Sequence, residues 1–198
     1  MGAYAPTPLI NDEIYKKLED RVIKPTLKGM QEENAPFEGV LFIGVMVVKG
    51  EPIVLEYNVR FGDPECEILM PLIESKVSEL FYYGATKQLD KLDIIIKNEF
   101  AVGVVMASEN YPYSASAHSI ITIDNIVDKD LLNNSHISFA GVEEKDGKLL
   151  ATGGRVLVCV GVGKSIKEAR DRAYLLSSEV HFDGKKFRND IAYQALKN

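Results

Sequence analysis

Two neighbouring runs rich in Val and Ile constrain the fold of this chain more than any other feature. The first run extends from Gly39 to Val48 and the second from Pro52 to Arg60. Only residues 49–51, which include Gly50, separate the two runs. Short apolar runs joined by so few turn-forming residues are typical of an antiparallel pair. The sequence therefore predicts a β-hairpin over residues 39–60.

The second run alternates apolar and polar side chains. A period of two places the side chains of Val54, Glu56, Asn58 and Arg60 on one face of the strand. Ile53 lies on the other face. Carboxylate and amide oxygens are hard ligands that suit Mg²⁺, and a guanidinium group matches phosphate or carboxylate oxygens. The exposed face of an edge strand shows the same alternation, so the pattern alone leaves both interpretations open.

A glycine turn and a helix start follow this strand. Gly62 frees the backbone, and Asp63-Pro64 is typical of a helix start with Asp at the cap and Pro at the first position. Helix amino termini attract anions, so the strand, turn and helix together predict an anion and metal site. Asp63 acting only as a helix cap is the alternative.

Helical periodicity occurs near both ends of the chain. The first helix is predicted to begin after Asn11, with Pro25 bending or ending it and no strand before it. Ser165 and Glu168 form a capping box before a long amphipathic helix. Between these regions the pattern changes near residues 90–98, which predicts a domain boundary. Short strands are then predicted at 100–107, 119–124, 136–142, 148–152 and 155–161, with Asp146-Gly147 as a hairpin turn.

Composition excludes several classes of function. The 198 residues are 46% hydrophobic and 26% charged, which is enough for a sizeable core, and the net charge of -6 argues against binding nucleic acid or anionic membranes. No apolar run approaches the roughly 20 residues that span a bilayer. Two distant cysteines exclude a disulfide scaffold or cysteine zinc site. A cytoplasmic location is expected.

The run V-L-E-Y-N-V-R-F-G-D-P-E-C-E, residues 54–67, resembles the signature of the glycinamide ribonucleotide synthetase family, the phosphoribosylamine-glycine ligases. Its E-x-N-x-R part is shared by ATP-grasp ligases in general, whereas R-F-G-D-P-E-x-E is narrower. The resemblance continues, in order, through M-G-A-Y-A-P-T-P, F-x-G-V-L-F-I-G-V-M, G-V-V-M-A-S-E-N-Y-P, T-G-G-R-V-L, E-A-R-D-R-A-Y and F-R-N-D-I-A.

The resemblance implies an α+β fold in two parts. Residues 1–94 would be the carboxy-terminal part of an ATP-grasp domain, and 95–198 a small, mostly antiparallel sheet domain. The implied reaction converts ATP, glycine and 5-phosphoribosylamine to glycinamide ribonucleotide, ADP and phosphate in purine biosynthesis, through a glycyl phosphate.

The resemblance also assigns roles. Glu56 and Asn58 would bind Mg²⁺ or Mn²⁺, Arg60 would be catalytic and contact the transferred phosphoryl group, and Asp63 and Glu65 would bind substrate. Arg155 is a possible contributor. The three histidines are expected to be structural, Gly161-Val162-Gly163 is expected to be a plain turn, and Cys66 has no assigned role.

Family members are about twice as long, so the resemblance implies a missing amino-terminal half that holds ATP and phosphoribosylamine. The isolated chain is therefore predicted to be inactive. Met1 is compatible with a split gene product, an engineered start or the family's own methionine. A non-catalytic binding module that keeps the ligase fold is the alternative function, and retention of Glu56, Asn58 and Arg60 favours the ligase. A ligase with another acyl acceptor is disfavoured by the narrower signature.

Overall fold

A computed structural model describes residues 1–197 and combines helices with antiparallel strands, which confirms the predicted α+β class. Within the described residues, the strands are β1 (Gly2–Ala5), β2 (Phe42–Val48), β3 (Glu51–Asn58), β4 (Phe100–Ala107), β5 (Ser119–Ile123), β6 (Ser135–Phe139), β7 (Val142–Lys145), β8 (Lys148–Ala151), β9 (Arg155–Gly163) and β10 (Val180–His181). The α-helices are α1 (Asp12–Leu18), α2 (Lys24–Glu32), α3 (Glu65–Leu69), α4 (Val77–Ala85), α5 (Lys129–Asn134) and α6 (Ile166–Ser178).

The chain divides into two compact units. One unit, called the C unit here, comprises residues 1–6, 63–72 and those from 96 onward. The other, called the hairpin unit, comprises residues 7–62 and 73–95. The short segment around α3 therefore belongs to the C unit, although the chain on either side of it belongs to the hairpin unit.

The C unit is built on two antiparallel sheets. Their strand orders are β1-β4-β9-β6 and β10-β5-β8-β7. In the first sheet, α6 packs on the face that carries Val102 and Val104, and α3 packs on the face that carries Val105 and Val158. The two central strands are thus covered on both sides. This explains why β4 and β9 are continuous apolar runs rather than alternating ones.

The long helix α6 begins as its sequence predicts. The Ser165 side chain accepts a hydrogen bond from the backbone N–H of Glu168 (3.2 Å). The Glu168 carboxylate accepts in return from the backbone N–H of Lys164 (2.7 Å), one residue before the cap. These bonds satisfy amide groups that a helix start leaves unpaired, so the predicted capping box is confirmed in a slightly extended form.

The hairpin unit pairs β2 with β3, which confirms the predicted hairpin. Asn11 caps α1 through its side-chain oxygen, as predicted. Pro25 does not end the helix, so that part of the prediction is wrong. A π-helical segment, Glu19–Ile23, precedes Pro25 and leads directly into α2, which continues to Glu32. Proline has no backbone N–H to donate to the carbonyl oxygen one turn earlier. The π-helical segment accommodates this missing hydrogen bond.

Several elements were not predicted. Strand β1 occupies Gly2–Ala5, where no strand was expected, and pairs with β4. Its small residues have low strand propensity, and Gly2 is required because a Cβ atom there would lie 2.6 Å from the carbonyl oxygen of Gly103. The predicted strand 136–142 is divided into β6 and β7, and helix α5 forms behind an Asp128 cap. No helix in residues 1–197 is both long enough and apolar enough to cross a bilayer.

Candidate functional site

A bulge in β3 determines which side chains share a face of the hairpin. Glu56 lies opposite Gly44 and Val54 lies opposite Val45, so Leu55 is an extra residue without a partner on β2. Residues directly opposite each other in an antiparallel pair project from the same face. The bulge therefore separates Val54 from Glu56, and the strict alternation predicted for the whole strand is wrong.

Glu56 and Asn58 nevertheless share a face. Asn58 lies opposite Phe42, and Phe42 and Gly44 are two residues apart on β2. A Cβ atom at Gly44 would lie 2.9 Å from the Cγ atom of Glu56, so glycine leaves the space that the Glu56 side chain occupies. Within residues 1–197 the Glu56 carboxylate forms no hydrogen bond or ion pair. An unpaired carboxylate beside an amide oxygen is a suitable part of a Mg²⁺ site.

Arg60 lies beyond the regular strand. Strand β3 ends at Asn58, so the ladder does not fix the direction of Arg60. Its Nη1 atom donates a hydrogen bond to the carbonyl oxygen of the next residue, Phe61 (2.8 Å). The remaining guanidinium N–H groups are exposed and available for an anionic ligand.

Asp63 and Glu65 belong to the C unit. Helix α3 begins at Glu65 after Pro64 and has no side-chain cap, so the alternative of Asp63 as a helix cap is wrong. The helix has only five residues and carries Glu65 and Glu67 in its first turn. These carboxylates already offset the positive end of so short a helix, so it does not support the predicted anion site.

Arg155 holds Asp63. Its Nη2 atom lies 3.2 Å from the Asp63 carboxylate, and its Nη1 atom donates a hydrogen bond to the Asp63 backbone carbonyl (2.9 Å). Arg155 starts β9, 92 residues further along the chain. Two contacts from one guanidinium fix both the side chain and the backbone of Asp63.

Glu67 is a group of interest that sequence reasoning did not single out. Its Oε2 atom is buried and has no hydrogen-bond partner among the described residues. Burial raises the pKa of the Glu67 carboxyl, and the nearby Asp63 and Glu65 carboxylates raise it further. A backbone hydrogen bond and Arg155 oppose the shift. The available signal in the sequence was that Glu67 immediately precedes Ile68, an apolar residue that faces the core.

The histidines and cysteines are not brought together. His181 pairs with Asp124 at the surface (2.9 Å), and burial lowers the pKa of His136 on β6. Cys159 is buried in the sheet, where desolvation raises its pKa to about 11. In the part of the chain that the structure describes, no three His, Cys, Asp or Glu side chains form a metal-binding group. A metal at Glu56 and Asn58 would need further ligands, such as substrate phosphates.

Comparison with solved structures finds the same fold in other proteins. The phosphoribosylamine-glycine ligase of Thermotoga maritima superposes with a TM-score of 0.78 at 38% identity, over 96% of this chain and 46% of that chain. The biotin carboxylase domain of a Hydrogenobacter thermophilus carboxylase shares the fold at 12% identity, with a TM-score of 0.62 over 94% of this chain and 40% of that one.

Family models match both parts of the sequence. Residues 1–66 match the phosphoribosylglycinamide synthetase ATP-grasp (A) domain, and residues 101–194 match the C domain of the same enzyme. The phosphoribosylamine-glycine ligase of Helicobacter pylori strain J99 is 37% identical over 99% of this chain. The chain belongs to the phosphoribosylglycinamide synthetase family, as the signature predicted.

The chain is shorter than the relatives it matches. It spans about half the length of the curated ligases, 46% for the Helicobacter pylori protein. It is also 40% identical to the bifunctional purine biosynthetic protein ADE1 of Schizosaccharomyces pombe. That match covers 99% of this chain and 24% of the ADE1 protein. The matched region thus carries part of the ATP-grasp domain together with the C domain.

Proposed function

We propose that this chain is the carboxy-terminal part of an ATP-dependent ligase that joins glycine to 5-phosphoribosylamine. The products are glycinamide ribonucleotide, ADP and phosphate, and the remaining half of the ligase is the required partner. The observation that carries the proposal is the shared face of Glu56 and Asn58 on β3, within a chain of this family. A cytoplasmic location, and the division into residues 1–94 and 95–198, are part of the proposal. The two family-model matches lie on either side of that boundary and support it.

Glu56 and Asn58 are the proposed metal-binding residues. The donor set fits Mg²⁺ or Mn²⁺, since it offers one unpaired carboxylate and one amide oxygen beside a glycine that leaves room. When bound, the metal neutralises charge on the nucleotide phosphates. Glu56 would contribute the negative charge that holds the cation, and Asn58 would contribute a neutral oxygen. A neutral second ligand leaves the site able to accept phosphate oxygens without excess repulsion.

Arg60, Asp63 and Glu65 are the proposed substrate-binding residues. Arg60 would contact the phosphoryl group while it moves from ATP to the glycine carboxylate, where its exposed N–H groups stabilise developing negative charge. The phosphoribosylamine nitrogen then attacks the acyl carbon, loses a proton and displaces phosphate. Asp63 and Glu65 are acceptors suited to an amino group or hydroxyl groups of the substrates. The narrow family signature that contains these residues supports their roles.

A charge-neutral substitution tests the metal assignment. In the chain reconstituted with the remaining half of the ligase, Glu56→Gln should lower kcat/KM by about 100-fold or more, since an amide cannot replace the charge that holds Mg²⁺. Circular dichroism should remain unchanged. Glu143→Gln, which alters an exposed strand glutamate on β7, is the matched control and should keep normal activity. Near-normal activity of the Glu56 variant would refute the metal assignment, whereas an inactive wild-type complex would favour a non-catalytic module.

A further inference from the structure

The start of β9 is the meeting point of three segments distant in sequence. Gly153 crosses Gly141 so closely that a Cβ atom at Gly153 would lie 2.7 Å from the Gly141 Cα atom. The backbone N–H groups of Thr152 and Gly153 both donate to the carbonyl oxygen of Gly141 (2.9 and 3.1 Å). Only glycine at both positions permits this approach. The crossing fixes where the chain emerges immediately before Arg155.

The end of β4 secures the same turn from another side. The Ser108 hydroxyl donates to the carbonyl oxygen of Gly153 (2.7 Å), and the Ser108 backbone N–H donates to the carbonyl oxygen of Gly154 (2.9 Å). The Tyr111 ring lies against Gly154, where a Cβ atom would be only 2.6 Å from the ring. Ser108 is itself buried. The backbone that carries Arg155 is thus held by three polar or steric contacts.

Arg155 transmits this rigidity to Asp63. Its side chain is 34% exposed, and it binds both the carboxylate and the backbone carbonyl of Asp63. Asp63 lies two residues before Glu65, the first residue of α3, and the next turn of α3 is anchored in the core by Ile68. The segment from Asp63 to Glu65 is therefore fixed at one end by Arg155 and at the other by the core.

We propose that Arg155 is a positioning residue of the ligase, which acts through Asp63 to hold the Asp63–Glu65 segment in its binding geometry. This inference rests on the proposed function for its catalytic consequence, and on the two contacts with Asp63 for its structural content. A segment of irregular backbone between a strand and a five-residue helix has little intrinsic order, since so short a helix is not stable alone. Acceptor groups that are already held in place improve binding and rate, because the segment need not be ordered in each turnover.

A double-mutant cycle between Arg155 and Asp63 tests the proposal. Arg155→Met, Asp63→Asn and the double variant are measured for kcat and KM in the reconstituted enzyme. Arg155→Met should lower kcat/KM by about 10-fold or more, and Arg155→Lys, which keeps the charge on a single nitrogen, should restore part of the loss. If Arg155 acts through Asp63, kcat/KM of the double variant should be no lower than that of the less active single variant. Arg21→Met, which removes an exposed arginine paired with Glu51, is the matched control and should retain activity.

Two other activity outcomes overturn the proposal in distinct ways, and a stability measurement decides it if the wild-type complex is inactive. Additive losses would mean that Arg155 contacts substrate itself. Unchanged kcat/KM together with a lower urea midpoint would mean that the ion pair is only structural. If the wild-type reconstituted enzyme is inactive, the proposed function fails instead. In that case, urea unfolding of the isolated chain is measured for wild type, the two single variants and the double variant. Absence of coupling between Arg155 and Asp63 in the free energy of unfolding would show that Arg155 does not hold this segment.

Discussion

Single atoms decide the packing where α6 crosses β9. A Cβ atom at Gly161 would lie 2.3 Å from the carbonyl oxygen of Ala169 and 2.5 Å from the backbone nitrogen of Ala173. Both neighbours are backbone atoms on the buried face of the helix, so they cannot rotate away as a side chain could. The absence of a side chain at Gly161 therefore sets the distance between α6 and the sheet.

Gly161→Ala should lower the free energy of unfolding by about 2–4 kcal/mol, because the helix must move away from the sheet to admit the methyl group. The measurement is urea unfolding followed by circular dichroism. Gly29→Ala is the matched control, since Gly29 lies within α2 with no atom near its missing Cβ. That variant should be stabilised by about 0.5–1 kcal/mol. Equal effects of the two substitutions would contradict the packing account.

The partly buried Glu67 carboxyl should make stability depend on pH. Its pKa is raised in the folded protein, chiefly by burial, so the folded state holds its proton to higher pH than the unfolded state. The free energy of unfolding therefore falls as the pH rises from the ordinary pKa through the raised one. Glu67→Gln removes this titration. In urea unfolding, the free energy of unfolding of the variant minus that of wild type should increase between pH 4 and pH 7. A difference that does not change with pH would contradict the prediction.

Among the structural elements, the β2–β3 hairpin is the least self-sufficient. Met46 and Ile53 lie opposite each other on one face and are 53% and 49% exposed. The sheet has only these two strands in the described part of the chain, and an isolated pair with an uncovered apolar face is marginal in water. We expect the isolated chain to self-associate through this surface.

Met46→Thr combined with Ile53→Thr should reduce self-association measured by sedimentation velocity, because threonine keeps strand propensity and removes apolar area. The control is Leu175→Thr, which alters an exposed leucine on α6 in the C unit and should leave association unchanged. Self-association that is unaffected by the double variant, or abolished equally by the control, would show that another surface is responsible.

The local signals predicted most elements and missed those that depend on tertiary contacts. The hairpin, the caps of α1 and α6 and the runs of β4 and β9 are visible in the sequence because period, caps and apolar runs act locally. Strand β1 has no such pattern, since its strand conformation comes from pairing with β4. The bulge at Leu55 is likewise set by pairing, so the shared face of Glu56 and Asn58 was predicted while the positions of Val54 and Ile53 were not. The Arg155 contact with Asp63 joins positions too distant for any sequence spacing to indicate.

At the level of the whole molecule, the chain carries only part of its family's architecture. It spans 46% of a curated ligase, and the fold matches 46% of a solved one. Glu56, Asn58 and Arg60 stabilise charge only on a nucleotide that is held against them. We therefore propose that the isolated chain lacks ligase activity and gains it from the remaining half.

The central claim is tested by measuring ADP release from ATP in the presence of glycine, Mg²⁺ and freshly formed phosphoribosylamine, with formation of glycinamide ribonucleotide followed by mass spectrometry. The chain alone should be silent. Addition of a separately expressed amino-terminal half from a relative should produce ADP release that depends on both glycine and phosphoribosylamine. Steady, substrate-dependent turnover by the isolated chain would contradict the account, and so would continued silence of a reconstituted complex whose assembly has been verified by sedimentation.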